Sequence, residues 1–165
     1  MQSTVVKLDH ARGSRSTRIL WLLNEIGDPF DLAISDSSLY ALHDGGARMH
    51  ETGAMTEWLC DTRARHLWRG PGQDGRVGWL DWLHFADTIL MRAKEGDAAM
   101  LKTSFGILDD GLAGDWLLGE FSGVDCQMGY SLWAISQGHD LQSPSLRAYL
   151  RRCMGRDAFR RALEG

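Results

Sequence analysis

Several features that would mark other classes of protein are scarce in this 165-residue chain. It has only 3 prolines, which argues against extended linkers, and only 3 cysteines. Cys60, Cys126 and Cys153 are an odd number at wide spacings, so they predict neither a disulfide framework nor a zinc site. The histidines lack metal-ligand spacing as well, and we therefore expect no metal.

The chain also lacks the features of membrane and nucleic-acid binding. No apolar run approaches the roughly 20 residues that cross a bilayer, and Met1-Gln2-Ser3-Thr4 begins no signal-peptide pattern. The 18 Lys and Arg residues form no basic block and are outnumbered by 22 Asp and Glu, which gives a net charge of −4. Phosphate contacts need clustered cations. We therefore expect a cytoplasmic protein with no membrane and no nucleic-acid partner.

The first half of the chain alternates strand and helix patterns. Short apolar runs predict strands at 4–8 and 30–34, and a glycine turn at 44–46 predicts a hairpin that pairs 39–42 with 47–50. Apolar residues on one face predict helices over 17–26 and 51–60. This order predicts an α/β unit.

The second half contains no strand pattern. Amphipathic spacing predicts helices over 77–91, over 103–112 and from Pro144 onward. Ser122 and Asp125 form the S-x-x-D capping pattern of a further helix, and we interpret both as folding residues. A glycine-rich stretch separates the halves. We predict an α/β unit at 1–66, a linker at 67–76 and an all-helical unit at 77–165.

Six segments follow one another in a distinctive order. They are SRSTRILWLLNEIG at 14–27, ALHDGG at 41–46, ETGAMTEWL at 51–59, WLHFAD at 82–87, WLLGEFSGVD at 116–125 and AFRRA at 158–162. Together they resemble the cytosolic glutathione transferases, in particular the bacterial and fungal serine type. The resemblance implies a thioredoxin-like N-terminal domain, here shortened, and a helical C-terminal domain. It also implies a homodimer that conjugates the glutathione thiol to a small apolar electrophile.

Ser14 and Arg15 are the candidate catalytic residues. Ser14 lies between the first strand and the first helix, where unpaired N–H groups and a partial positive charge favour an anion. A hydroxyl there can donate to a thiolate and lower its pKa, and Arg15 adds positive charge. The resemblance implies that Ser14 activates the glutathione sulfur. The alternative is that Ser14 or Ser16 only caps the helix.

Four further residues are candidates for binding glutathione. Glu51 and Thr52 begin the second helix, which predicts a carboxylate site, and the resemblance implies that they hold the γ-glutamyl end with Glu51 facing its ammonium group. Capping is again the alternative. Tyr40 and Ala41 begin the third strand, where the family has a cis-proline beside the cysteinyl part of glutathione. Tyr40 in that place predicts a trans peptide bond.

The chain is short between the second and third predicted strands. Only residues 35–38 stand where the family carries a helix and a loop that contact the glycyl end of glutathione. Four residues are too few for a βαβ crossover. This predicts either an antiparallel hairpin of these two strands or a rearranged sheet.

Two other functions stay open. The scaffold could serve a glutathione-independent isomerase, cyclase or lyase, with Trp68 and Trp79 lining an aromatic pocket between the domains. It could also be a non-catalytic binding or dimerisation module. The dimer surface would then include Met55, Trp58, Trp79 and Trp82.

Overall fold

The computed structural model describes residues 5–35, 39–112 and 114–165. Its strands are β1 (Val6–Ala11), β2 (Phe30–Ser35), β3 (Ala41–Asp44) and β4 (Ala47–Met49). Its helices are α1 (Thr17–Ile26), α2 (Thr52–Arg63), α3 (Arg76–Glu95), α4 (Ala98–Gly111), α5 (Gly123–Ser136), α6 (Pro144–Met154) and α7 (Asp157–Glu164), with one 3-10 turn at Arg65–Leu67. The predicted fold class, an α/β unit followed by a helical unit, is confirmed.

The first strand differs from its prediction. It runs from Val6 to Ala11 instead of 4–8, and Thr4 lies outside the described residues. Val6, Leu8 and His10 alternate onto the buried face of the strand and are at most 2% exposed. The prediction ended too early because Asp9 and His10 are polar and read as the start of a turn, although strand alternation carries His10 into the interior.

The sheet has the order β2-β1-β3-β4, with β1 parallel to β2 and antiparallel to β3. Of the two arrangements that the sequence left open, the antiparallel hairpin of the second and third strands is wrong, because β1 lies between them. β2 ends and β3 begins at the same edge of the sheet, about 10 Å apart across the intervening β1, because β2 and β3 run in opposite directions.

The two faces of the sheet are chemically different. α1 covers one face, where Leu8 and Leu42 are fully buried. The opposite face carries charges: Asp9 pairs with the Lys7 ammonium at 2.9 Å and with His43 Nε2 at 2.7 Å. These two partners hold the pKa of Asp9 below its usual range. The charged side chains on this face are partly exposed, so the face suits contact with solvent better than packing of a second helix layer.

The helical unit packs directly on the α/β unit. α1 and α2 both contact α5, and α7, which the sequence patterns did not predict as a separate helix, packs along α1. The capping box of Ser122 and Asp125 at the start of α5 is confirmed. Along the described residues, no helix is long and apolar enough to cross a membrane.

The predicted dimer surface is largely internal. Met55 and Trp79 are fully buried in this chain, and Trp82 is only 9% exposed. Trp79 also donates its indole N–H to the Leu67 carbonyl at 3.2 Å. Trp58 is the exception at 40% exposed, and it donates to Asp44. Trp79 is therefore a core residue and lines no open cleft.

Candidate functional site

One edge of the sheet gathers the predicted site residues. β1 and β4 both end at this edge, because β4 is antiparallel to β3 and β3 is antiparallel to β1. Ser14 and Arg15 follow the end of β1, Glu51 follows the end of β4, and Tyr40 precedes the start of β3. α1 and α2 begin directly after these segments. Both helices therefore present their amino termini at the same edge, where unpaired N–H groups favour anions.

Ser14 lies directly before α1 and is partly exposed. Its Oγ accepts the backbone N–H of Ser16 at 3.1 Å and lies 2.7 Å from Ser16 Oγ. Its backbone carbonyl accepts the N–H of Thr17. The main chain thus holds Ser14 in place, and the residue is only partly buried.

Ser16 does not cap α1, in contrast to the capping alternative. It occupies the N-cap position, but its side chain makes no capping hydrogen bond. Its Oγ is instead fully buried, accepts the N–H of Ala11 at 3.1 Å and lies 2.8 Å from His10 Nδ1. His10 was not among the predicted site residues. Continuing the apolar alternation of β1 by one more position would have placed it behind the serines.

Glu51 and Thr52 have different surroundings at the start of α2. Glu51 is exposed, and its side chain makes no capping hydrogen bond. Thr52 is 1% exposed, and its hydroxyl donates to Gln127 Oε1 and accepts from Arg18. The Glu51 carboxylate is therefore available at the surface, whereas the Thr52 side chain ties α2 to α1 and α5. Only the backbone of Thr52 can serve a ligand at this edge.

Tyr40 and Ala41 form the strand side of the edge. The peptide bonds of the described residues are all trans, as predicted for Tyr40. Ala41 is 2% exposed, while Tyr40 is half-buried and its carbonyl lies 3.3 Å from His50 Nδ1. A cavity of about 370 Å³ lies beside them, lined also by Arg48 and Asp9. This cavity opens on the charged face of the sheet.

A buried arginine joins the two halves of the molecule beneath this edge. Arg18 is completely buried and donates to Asp87 at 2.7 Å, to Ser131 at 2.6 Å and to Gln127 at 3.1 Å. Buried charges are stable only when paired and hydrogen-bonded. Arg18 and Asp87 lie within two of the segments that carry the resemblance, but no role was predicted for them. Arg18 joins α1 to Thr52 of α2 and, through Asp87, to α3.

Arg15 places a second cation above this pair. It donates to Asp87 at 3.2 Å, and both side chains are about one-third exposed. Burial would raise the pKa of Asp87, but Arg18 and Arg15 outweigh it and lower that pKa. Burial likewise works against the charge of Arg15, yet Tyr40, Asp87 and Glu51 together raise its pKa. The edge thus holds a permanent cation beside the carboxylate of Glu51.

The thiols of the chain itself are not available for chemistry. All three cysteines are free and buried. Burial raises the pKa of Cys60, Cys126 and Cys153, so none of them forms the reactive thiolate near neutral pH. No group of three or more metal-ligating side chains occurs in the described ranges either. A nucleophilic sulfur at the sheet edge would have to arrive with a ligand.

Solved structures similar to this chain are glutathione transferases. The enzyme from Methylococcus capsulatus strain Bath shares 24% identity and a TM-score of 0.86 over 97% of this chain and 98% of that one. A beta class enzyme from Sphingomonas chungbukensis shares 23% identity and a TM-score of 0.81 over 96% and 97%. A homolog from Lodderomyces elongisporus, solved with two glutathione molecules per subunit, shares 18% identity and a TM-score of 0.81 over 98% of both chains.

These likenesses establish the fold. The chain has the glutathione transferase fold, with a thioredoxin-like unit followed by a helical unit. No protein-family model and no curated protein matches its sequence.

Proposed function

We propose that this protein is a glutathione transferase that joins the thiol of glutathione to a small apolar electrophile. The observation that carries the proposal is the convergence of two helix amino termini on one sheet edge, with the Ser14 hydroxyl at one and the Glu51 carboxylate at the other. The shared fold supports it, since one similar structure contains glutathione.

The residues at this edge fit the groups of glutathione. Its thiolate needs a hydrogen-bond donor, its ammonium group an anion and its α-carboxylate a set of N–H groups. Ser14 offers the donor, Glu51 offers the anion, and the first turn of α2, beginning at Thr52, offers the unpaired N–H groups. Tyr40 and Ala41 offer backbone only, and the Tyr40 carbonyl already lies near His50.

Bound glutathione would supply the sulfur nucleophile that the chain lacks. Ser14 then acts by donating a hydrogen bond to the thiolate, which favours the ionised form and lowers the pKa of the thiol. Arg15 adds a favourable charge at short range, and the partial positive charge of the α1 amino terminus acts in the same direction. Ser14 itself forms no covalent bond. The remaining rate gain comes from holding the thiolate beside the electrophile.

The glutathione-independent alternatives have weaker support. An aromatic pocket between the domains would need accessible tryptophans, but Trp79 is fully buried. Trp68 packs on Gly70 and donates to Glu57 at 3.2 Å. A binding module without chemistry would not need a partly exposed serine at the start of α1. We therefore rank the transferase first.

We also propose that two copies pair and that the protein works in the cytoplasm. Pairing would use the outer sides of α2 and α3, where Trp58 is 40% exposed and Val77 is 83% exposed. Three free, buried thiols suit a reducing compartment. Light scattering of the purified protein tests the pairing, and a strictly monomeric mass would contradict it.

Calorimetric titration with glutathione tests the proposed function. Wild type should bind at millimolar concentrations or below, and Glu51→Gln should weaken binding about tenfold, because a hydrogen bond to a charged group is worth about 1.5 kcal/mol or more. The matched control is Glu95→Gln, an exposed glutamate at the far end of α3, which should bind like wild type. The absence of binding by wild type at millimolar glutathione would contradict the proposal.

A further inference from the structure

A continuous chain of three side chains runs from the core to the proposed thiolate donor. His10 Nδ1 lies 2.8 Å from Ser16 Oγ, and Ser16 Oγ lies 2.7 Å from Ser14 Oγ. His10 is 1% exposed and Ser16 is fully buried, while Ser14 is partly exposed. Each hydroxyl in this chain has one proton to give and two lone pairs to fill.

The backbone occupies one lone pair of each serine. Ser16 Oγ accepts the N–H of Ala11, and Ser14 Oγ accepts the N–H of Ser16. Each hydroxyl can then accept one more proton and donate one. Ser16 Oγ also lies 3.3 Å from the Ala11 carbonyl, which is longer than its 2.7 Å contact with Ser14 Oγ and its 2.8 Å contact with His10 Nδ1. When each of the two short contacts contains one proton, the three side chains all donate in the same direction along the chain.

Only two arrangements satisfy this count. In the outward arrangement, His10 Nδ1–H donates to Ser16, Ser16 donates to Ser14, and the Ser14 proton faces the sheet edge. In the inward arrangement, Ser14 donates to Ser16, Ser16 donates to an unprotonated His10 Nδ1, and Ser14 faces the edge as an acceptor only. An acceptor would repel a thiolate, so the position of one proton on His10 decides what Ser14 can do.

We propose that His10 is a positioning residue that carries its proton on Nδ1 and thereby turns the Ser14 hydroxyl outward as a donor. The value of this arrangement for thiolate binding rests on the proposed transferase function. The arrangement itself is a property of the protein without any ligand.

The surroundings of His10 favour this tautomer. Burial, and then the charge of Arg12, lower the pKa of His10, so the ring is neutral near pH 7 and has a single N–H. Arg12 and Glu164 line the same cavity of about 130 Å³ as His10. Of these two charges, Arg12 is the one that shifts the His10 pKa. Nδ1 has a hydrogen-bond partner in Ser16 Oγ at 2.8 Å, so the single ring proton is used in a hydrogen bond when it lies on Nδ1.

Nitrogen-15 NMR of the histidine rings in wild-type protein without ligand tests the arrangement directly. The His10 signals are assigned by their loss in His10→Asn. The expected result is a neutral ring protonated at Nδ1. A ring protonated at Nε2 would overturn the proposal, whether or not the protein binds glutathione.

The consequence is measured on the bound thiol. His10→Leu removes the donor to Ser16, so the pKa of bound glutathione should rise by about one unit and kcat/KM near neutral pH should fall about tenfold. KM for glutathione should stay close to the wild-type value, because the anchors at α2 are untouched. His10→Asn, whose amide can donate from a similar position, should recover most of the loss.

A double-mutant cycle separates this action from a general loss of packing. In a Ser14→Ala background, His10→Leu should change kcat/KM less than twofold, since no hydroxyl is left to orient. An equal loss in both backgrounds would overturn the proposal. If wild type binds no glutathione, the transferase function fails, and the NMR result alone decides the arrangement at Ser14.

Discussion

α1 and α5 both begin beside a serine, and the two starts show opposite designs. At α5, Ser122 and Asp125 are fully buried. The Asp125 carboxylate accepts the N–H of Ser122 at 2.9 Å, the N–H of Leu117 at 3.3 Å and the hydroxyl of Tyr149 at 2.9 Å. At α1, Ser14 is partly exposed, and its Oγ lies 2.7 Å from the Oγ of the buried Ser16.

This contrast separates a serine that folds the chain from one that can act on a ligand. A helix start whose polar atoms are all satisfied inside the protein has nothing left to offer a partner. A helix start with a rigid but incompletely used hydroxyl can bind without first breaking internal bonds. The residue type is the same in both places, so solvent access and the remaining bonding capacity make the difference.

The largest expected effect of a substitution is the loss of stability at the start of α5. Asp125→Ala removes the acceptor of four buried donors, which are the N–H groups of Ser122 and Leu117 and the hydroxyl groups of Ser122 and Tyr149. Each unsatisfied group costs about 1–3 kcal/mol. We expect the free energy of unfolding to fall by about 4 kcal/mol in urea titrations. The same measurement on Ser14→Ala should show a loss below about 1 kcal/mol. An equal loss of unfolding free energy in the two variants would contradict the proposed difference between the starts of α1 and α5.

The contribution of Asp125, at the start of α5, to the stability of the protein should also depend on pH. Burial raises the pKa of Asp125 to about 6, despite hydrogen bonds from Ser122 and Tyr149 that act in the opposite direction. A raised pKa in the folded state means that the protonated form is the more stabilising one. The contribution of Asp125 is therefore fully present below about pH 4 and is lost as the pH rises through 6, by about 2–3 kcal/mol.

Urea titrations between pH 4 and 7 measure this effect as the difference between wild type and Asp125→Asn. The variant has no titrating group at this position, so its own stability should lack this component. A difference between the two proteins that stays constant from pH 4 to 7 would contradict the assignment of the pKa shift to Asp125.

At the start of α1, substitution of Ser14 should lower the activity and not the stability. Ser14→Ala removes the donor to the thiolate, and we expect glutathione-dependent kcat/KM to fall at least tenfold, which corresponds to about 1.4 kcal/mol. Ser145→Ala, at an exposed serine in the first turn of α6, is the matched control and should keep wild-type activity. A fully active Ser14→Ala would mean that Ser14 only supports the loop.

The smallest effect is expected at Arg15. Its side chain is about one-third exposed, so its charge is partly screened by water. Arg15→Gln should lower kcat/KM about threefold, in the range of a surface charge interaction. The loss should shrink at high salt. Arg151→Gln, an exposed arginine on α6, should have no effect, and a loss that is independent of salt would argue against an electrostatic role.

The sequence alone indicated the order of the elements and the capping box. Apolar periodicity predicted α1 over its full range, 17–26, and Gly27 ends the helix in a left-handed conformation. These features depend on neighbours within a few residues, so local patterns contain them. The motif order also indicated the fold that the solved structures share.

Tertiary structure decided the sheet order and the connections behind the site. The strand β1 lies between β2 and β3, whereas the short segment 35–38 had left open a hairpin of these two strands or a rearranged sheet. Strand pairing depends on contacts between distant residues, which local spacing does not encode.

Contacts between distant residues also decided which of the six candidate residues are available to a ligand. The sequence supplied Ser14, Arg15, Tyr40, Ala41, Glu51 and Thr52, but only the fold turned the Thr52 hydroxyl inward to Gln127 and left Glu51 exposed. The fold also placed His10 in contact with Ser16. It likewise placed Arg18 in contact with Asp87. A residue type fixes what a side chain can donate or accept, whereas burial and partners fix which of those capacities remain for a ligand.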